Sequence, residues 1–293
     1  MKLAVISDIH GNLHALKACV EYFQKENCDE YLFLGDYVSD TPYPRETMDF
    51  LYSFIDNHIC FLLRGNREDY MLSHKRVCDG LEEGPEWIAN SASGNLLYTY
   101  ERLTPKDFEF FEKLPISMIY HKEGYPSITC CHGSPDNNRE LVQFSAPNAI
   151  HWLDAIDTEI MVCGHTHFPG ELRYNGKSYF NCGSAGIAIC DRGMAQCLIL
   201  KGEEGKWKPE FLKIKYDVDK VISDIFTSGL HNMGKWFVNA NIQTLATGID
   251  HAGEMIRLAS DLVKRDGDST AVWPYIDEKY YCEAAKRLGI PNY

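Results

Sequence analysis

Two hydrophobic periods alternate along the first two hundred positions. Short apolar runs at 2–7, 31–34, 59–63, 117–120, 127–131 and 159–163 have the length and side-chain content of buried strands. Between them, apolar positions recur every three or four residues. Leu13, Leu16, Val20 and Phe23 follow a capping Asn12, and Met48, Leu51 and Ile55 share one face of a helix predicted over 44–55, with Pro44 in its first turn. Residues 67–114 read mainly as helix, Thr104-Pro105 starting a short one that carries Phe108, Phe111 and Leu114. A further helix is predicted at about 140–156. Strand–helix–strand alternation of this kind predicts a parallel sheet with helices on its faces.

The rhythm then changes twice. Segments 172–174 and 178–180 flank Asn175-Gly176, a hairpin signal, and 195–200 and 208–215 flank a second turn at 202–205. Beyond Asp217 only the helical period remains. It runs through Val221, Ile222, Ile225 and Phe226 and later through Leu245, Ile249, Met255, Ile256, Leu258 and Leu262. These shifts predict a main domain at 1–215 and a helical region at 216–293. With no internal repeat and no long polar linker, the helical region is expected to pack on the main domain.

Composition narrows the class. The chain has 293 residues, 45% hydrophobic and 24% charged, which is ordinary for a globular protein and excludes disorder. A net charge of −13 argues against an extended nucleic-acid partner. No run reaches the roughly 18 apolar residues of a membrane span, so no membrane association is expected. The eleven cysteines include no C-x-x-C pair and sit mostly inside apolar runs. Residues 1–6 are too short for a signal segment, and the expectation is a reduced, cytoplasmic protein.

The chemistry lies where the runs end. Five predicted strands lead into Asp8-Ile9-His10, Gly35-Asp36, Gly65-Asn66-Arg67-Glu68, His132-Gly133 and Gly164-His165-Thr166-His167. The carboxyl ends of parallel strands share an edge where ligands bind. That edge would gather seven donors: Asp8, His10, Asp36, Asn66, His132, His165 and His167. Seven exceed one tetrahedral ion, whereas two ions sharing Asp36 would receive four each. Mixed carboxylate, amide and imidazole donors suit Mn, Fe, Zn or Ni, in divalent or trivalent form. Two ions ~3.5–4 Å apart form the clamp used for in-line attack at phosphorus, with water as the nucleophile.

The ordered series D-x-H, G-D, G-N-x-E, H and G-H-x-H resembles that of the calcineurin-like metallophosphoesterases over roughly residues 1–200. The resemblance implies a four-layer α-β-β-α sandwich with two sheets face to face, carrying here the helical C-terminal extension. It implies that Asp8, His10, His167 and Asp36 hold one ion, and Asp36, Asn66, His132 and His165 the other. It also implies catalytic roles for His10, Asp36, Asn66 and the residue after the asparagine.

That residue is Arg67, where the family commonly has a histidine that protonates the leaving group. Arginine cannot act as an acid near neutral pH, but it offers a planar fork to phosphate oxygens. The expected substrate is a small phosphorylated molecule, a nucleotide-type phosphoanhydride or phosphodiester, for example a dinucleoside polyphosphate; the anhydride is favoured because its leaving group departs without a proton. The stretch from Gly35 to Pro44 is similar to one in bacterial predicted phosphoesterases and diadenosine-tetraphosphatase-like proteins, with Ser39 replacing a glycine. The alternatives are a serine/threonine protein phosphatase, which Arg67 counts against, and a metal-bearing scaffold without turnover. Asn137 and Arg139, close after His132, are candidate substrate contacts. Gly229–Trp236 nearly spells a phosphate-binding loop but lacks its hydroxyl and reads as a turn between helices. Trp273, Tyr275, Tyr280 and Tyr281 are expected to pack or meet a partner, and the pattern is compatible with a homo-oligomer.

Overall fold

The computed structural model describes residues 1–268 and 272–293. In chain order the elements are β1 (Lys2–Ile6), α1 (Leu13–Lys25), β2 (Glu30–Phe33), α2 (Pro44–Ile55), β3 (Cys60–Leu62), α3 (Asn66–Cys78), α4 (Gly94–Tyr100) and α5 (Pro105–Lys113). Then come β4 (Ser117–Tyr120), β5 (Ile128–Cys131), α6 (Pro147–Ala155), β6 (Ile160–Cys163), β7 (Gly170–Tyr174), β8 (Lys177–Asn181), β9 (Met194–Glu203) and β10 (Lys206–Lys215). Four helices finish the chain: α7 (Val218–Thr227), α8 (Leu230–Thr247), α9 (His251–Arg265) and α10 (Glu278–Leu288).

The strands form two five-stranded sheets, ordered β10-β9-β1-β2-β3 and β4-β5-β6-β8-β7. Neither is wholly parallel, as the alternation alone had led us to expect. Each has a parallel core, β1-β2-β3 and β5-β6-β8, flanked by antiparallel strands. The antiparallel partners come from hairpins and from β9, which returns to β1 at the register Leu3↔Leu200.

Side-chain alternation explains the layers. On β1, Leu3 and Val5 enter a core shared with Ile160, Val162, Phe180 and Leu200, between the two sheets. Ala4 and Ile6 face the other way, into a core with Leu16 and Phe23 of α1 and Leu51 of α2. On the second sheet, Met161, Cys163 and Tyr179 face Ala149 and Leu153 of α6. Helix, sheet, sheet and helix therefore stack in the four expected layers, because strands buried on both faces need a partner layer on each.

Local chemistry sets the helix starts. The Asn12 side chain accepts from the Ala15 N–H, and Pro44 begins α2 at the predicted residue. The helix predicted at about 140–156 is shorter: 140–146 is irregular and α6 begins at Pro147, which needs no N–H partner. The stretch 67–114 contains three helices separated by irregular segments, of which 79–93 is the longest. Gly229, with φ 90°, separates α7 from α8, so the look-alike phosphate loop is a helix junction.

The C-terminal helices build their own core around Phe237, Met255, Ala259, Tyr281 and Ala285. They dock through α4. Ser91, just before it, accepts at its hydroxyl from the Trp236 N–H and gives both N–H and O–H to the Glu278 carboxylate. No helix among the described residues is long and apolar enough to cross a membrane.

Candidate metal centre

All six parallel-core strands run toward the same end of the molecule, and their carboxyl ends meet there. Asp8, Asp36, His132 and His165 present ligand atoms all within 4.8 Å of one another, and so do Asp8, His10 and His167. The Nε2 atoms of His10 and His167 face each other at 3.1 Å, and His132 Nε2 lies 2.9 Å from Asn66 Oδ1. Asp36 Oδ2 lies 3.5 Å from His132 Nε2 and 3.9 Å from His10 Nε2, between the two sets. Asp8 Oδ1 is also near both, 3.1 Å from His167 and 3.9 Å from His132.

The backbone is forced into this shape. Asp8, His10, Asp36, His165 and His167 all have positive φ, between 52° and 64°. A left-handed non-glycine residue costs on the order of 1 kcal/mol, so five adjacent cases need cross-bracing. The bracing is visible. His10 N–H donates to Asp36 O at 2.9 Å, Thr41 Oγ1 to His10 O at 2.7 Å, and Ser184 Oγ to Asp8 O at 2.9 Å. The loop 181–186 after β8 thus supports the first ligand loop. Gly164 is required where the sheets meet, since a Cβ there would lie 2.1 Å from Ser7 Oγ and 2.6 Å from Asp8 Oδ2.

The imidazoles are oriented from behind. His132 Nδ1 lies 3.0 Å from the Leu34 carbonyl and His167 Nδ1 2.9 Å from the Ile187 carbonyl. His10 Nδ1 lies 3.1 Å from Asp40 Oδ2. Protons held on those Nδ1 atoms turn the Nε2 lone pairs inward, as metal ligation requires.

Charge makes the same demand. Asp8, Asp36 and Asp40 are buried, and the Arg67 guanidinium is the fixed positive charge beside them. Burial opposes ionisation of Asp8, yet His167 and His132 hold it well below the usual carboxylate range. Burial likewise opposes protonation of His10 and His132, but the carboxylates outweigh it and push them up to about 10 and about 9. Burial and His132 push His165 down to about 4. Buried carboxylates that draw protons onto two of the imidazoles would equally attract cations, and the donor set fits two of them.

A profile described as calcineurin-like phosphoesterase matches residues 1–169. The chain belongs to that family. As a calcineurin-like phosphoesterase it carries a candidate Asp/His metal-binding cluster at the end where the parallel strands finish. The fold agrees with solved structures. Hypothetical protein PH1004 of Pyrococcus horikoshii OT3 superposes with a TM-score of 0.69 at 21% identity, over 84% of this chain and 98% of that one. A metallophosphoesterase of Sphaerobacter thermophilus gives 0.68 at 22%, over 85% and 100%. Uncharacterized protein MJ0912 of Methanocaldococcus jannaschii is 23% identical over 245 residues, 78% of this chain and 93% of its own.

In this phosphoesterase the other predicted residues fall as follows. Arg67 Nη2 lies 2.9 Å from Asp40 Oδ2, its backbone N–H donates to Asp36 Oδ1 at 2.8 Å, and its guanidinium carbon sits 4.8 Å from the Trp273 ring centroid. Arg139 lies over the Tyr70 ring at 4.4 Å, and its carbonyl is 3.2 Å from His165 Nε2. Asn137 is exposed, and its Oδ1 accepts the Arg139 N–H, shaping the turn. Its buried neighbour Asn138 instead ties the loop to the Gly65 carbonyl and Asp69. Glu68 accepts the N–H groups of Gly65, Asp36 and Tyr37. Burial and the Asp36 charge push its carboxyl up to about 7 against those donors.

Sequence reasoning missed Asp40. It is buried, touches both His10 and Arg67, and is braced by Ser39 and by Asn95 of α4. Its position four residues after Asp36 was the available signal. Trp273, expected to pack or meet a partner, lies under the Arg67 guanidinium and meets the Tyr70 ring edge-on.

Proposed function

We propose that the protein hydrolyses a nucleotide-type phosphoanhydride or phosphodiester, close to the diadenosine-tetraphosphatase-like branch. Asp8, His10, His167 and Asp36 would hold one cation, and Asp36, Asn66, His132 and His165 the other. Bound there, the cations would activate water and neutralise charge on the phosphoryl group.

The single observation that carries the substrate class is Arg67. Its guanidinium is 13% exposed, clamped by Asp40 and stacked on Trp273, and it lines the cleft beside His165 and His167. Held so, it offers fixed N–H donors to phosphoryl oxygens as charge builds on them. Its charge is permanent, so it gives no proton to the departing oxygen. An anhydride leaves as an anion and needs none, whereas a serine alkoxide does.

A substrate panel with the metal varied, run on the native enzyme and on Arg67→His, tests this. Dinucleoside polyphosphates and activated diesters should turn over faster than a phosphoserine peptide, and Arg67→His should narrow the gap. A native enzyme that prefers the phosphopeptide overturns the reading. A protein that loads metal and hydrolyses nothing is the scaffold instead.

A further inference from the structure

A cleft of about 300 Å³ opens from Arg67, His165 and His167 and runs outward under the C-terminal helices. One wall is Phe168, Ile187 and Ile189, from loops that follow the ligand strands. The opposite wall comes from one face of α8, Phe237, Asn241 and Thr244, and from Ala252 and Ile256 of α9. The cleft is therefore mostly apolar on both sides and begins at the proposed reaction centre.

Asn241 stands out in it. The residue is 2% exposed, and its side-chain amide nitrogen has no hydrogen-bond partner. A buried amide without a partner is costly to keep unless something else satisfies it. The nearby Thr244 hydroxyl is already used: it donates to the Ala240 carbonyl and accepts from the N–H groups of His251 and Ala252. Arg257 at the rim is engaged by Asp250. Gln143, which also lines the cleft, is exposed to solvent, so among the described residues Asn241 is the buried polar group left for a ligand.

Chemistry selects the ligand. An acyl chain would fill the apolar walls but strand the amide. A sugar or polyol would satisfy the amide but waste Phe168, Phe237 and the isoleucines. A planar heteroaromatic ring does both, offering apolar faces and an edge that carries donor and acceptor together. Turned either way, the Asn241 carboxamide presents one of each.

We propose that this cleft is a nucleobase subsite, built by α8 and α9 and read by Asn241. The label "substrate base" rests on the hydrolase reading above; the binding itself does not. The subsite makes the C-terminal helices the part of the molecule that chooses which anhydride reaches Arg67.

The test has two independent arms. In the first, adenosine, guanosine, cytidine and uridine, all without phosphate, are titrated into metal-free protein by NMR. At least one should bind, with shifts centred on α8 and α9, and Asn241→Leu should weaken it tenfold or more. In the second, kcat/KM with manganese is compared for a dinucleoside polyphosphate and for inorganic tripolyphosphate, an anhydride without a base. Asn241→Leu should lower that ratio at least tenfold, chiefly through KM. If Asn241→Leu does not fold, Ile256→Trp, on the half-buried wall, fills the cleft and gives the same two readings. No nucleoside binding, or an unmoved ratio in the folded variants, overturns the subsite. Nucleoside binding without any turnover overturns the hydrolase and leaves the subsite standing.

Discussion

Asp40 shows how much of this centre lies behind the ligands. It makes no contribution to the donor series read from the strand ends, yet it touches one proposed ligand, His10, and the proposed phosphate-binding residue, Arg67. Groups behind a metal ligand typically control affinity or rate by about 10–100-fold. Asp40→Asn should fall in that range, measured as chelator competition for manganese and as kcat/KM on an activated diester. Asp36→Asn should cost more, about a thousandfold in turnover or about 4 kcal/mol of barrier, since it would strip the shared carboxylate from both cations. Full activity in that variant sinks the bridging role. The donors themselves were legible because each follows an apolar run and a glycine often sits beside it. Asp40 was not, because its meaning depends on Arg67, which chain folding brings to it from the next strand end. The left-handed backbone at five candidate ligands was equally invisible, since the bonds that brace it come from groups distant in the chain.

Helices and strands were easier to read than their assembly. Periodicity located β1, β2, β3, α1 and α2 to within a residue or so, because both faces of β1 and β2 and one face of each helix are buried and β3 is half-buried. It could not say that the strands divide between two sheets, since a strand covered by a sheet and one covered by a helix carry similar apolar runs. The link between the C-terminal helices and the candidate metal centre also runs through α4. Helix α4 packs on α8, and its Asn95 donates to Asp40 Oδ1 at 2.5 Å. The approach is so close that a Cβ on Gly94 would lie 1.9 Å from the Met233 carbonyl. Gly94→Ala should therefore cost about 1–3 kcal/mol. That is a fall of several degrees in Tm, at about 2–4 °C per kcal/mol for a large domain. An unchanged melting curve would mean α8 moves away freely.

At the scale of the whole molecule, the charge of −13 takes on a local meaning. Four of the acids, Asp8, Asp36, Asp40 and Glu68, are buried at the centre with one arginine, so cations should stabilise the fold as well as serve it. Manganese at a hundred times its dissociation constant should add about 2.7 kcal/mol. The rise in Tm should vanish in Asp8→Asn, and an equal rise in that variant would place binding elsewhere. The cysteines give a second global check. All eleven are free thiols, with Cys78, Cys190 and Cys282 exposed. Burial pushes Cys28 up to about 11, and Cys60 up to about 12, away from the reactive thiolate at ordinary pH. A thiol reagent at pH 8 should modify the exposed three promptly, the half-buried Cys28 and Cys60 slowly, and the six buried ones only after denaturation; fast reaction of all eleven contradicts the buried cores.

The pairing of β1 with β9 has a consequence in time. The strand that carries Asp8 and His10 toward the centre is made first, but its antiparallel neighbour is Met194–Glu203, and the braces on Asp8 come from Ser184 and Gly186. Contacts so far apart in the chain form late and slowly. During synthesis the first loop has only the braces from the segment after β2 until Ser184, Gly186 and β9 have left the ribosome. The capacity to grip cations therefore emerges as a single late event, after the parallel cores of both sheets have been made.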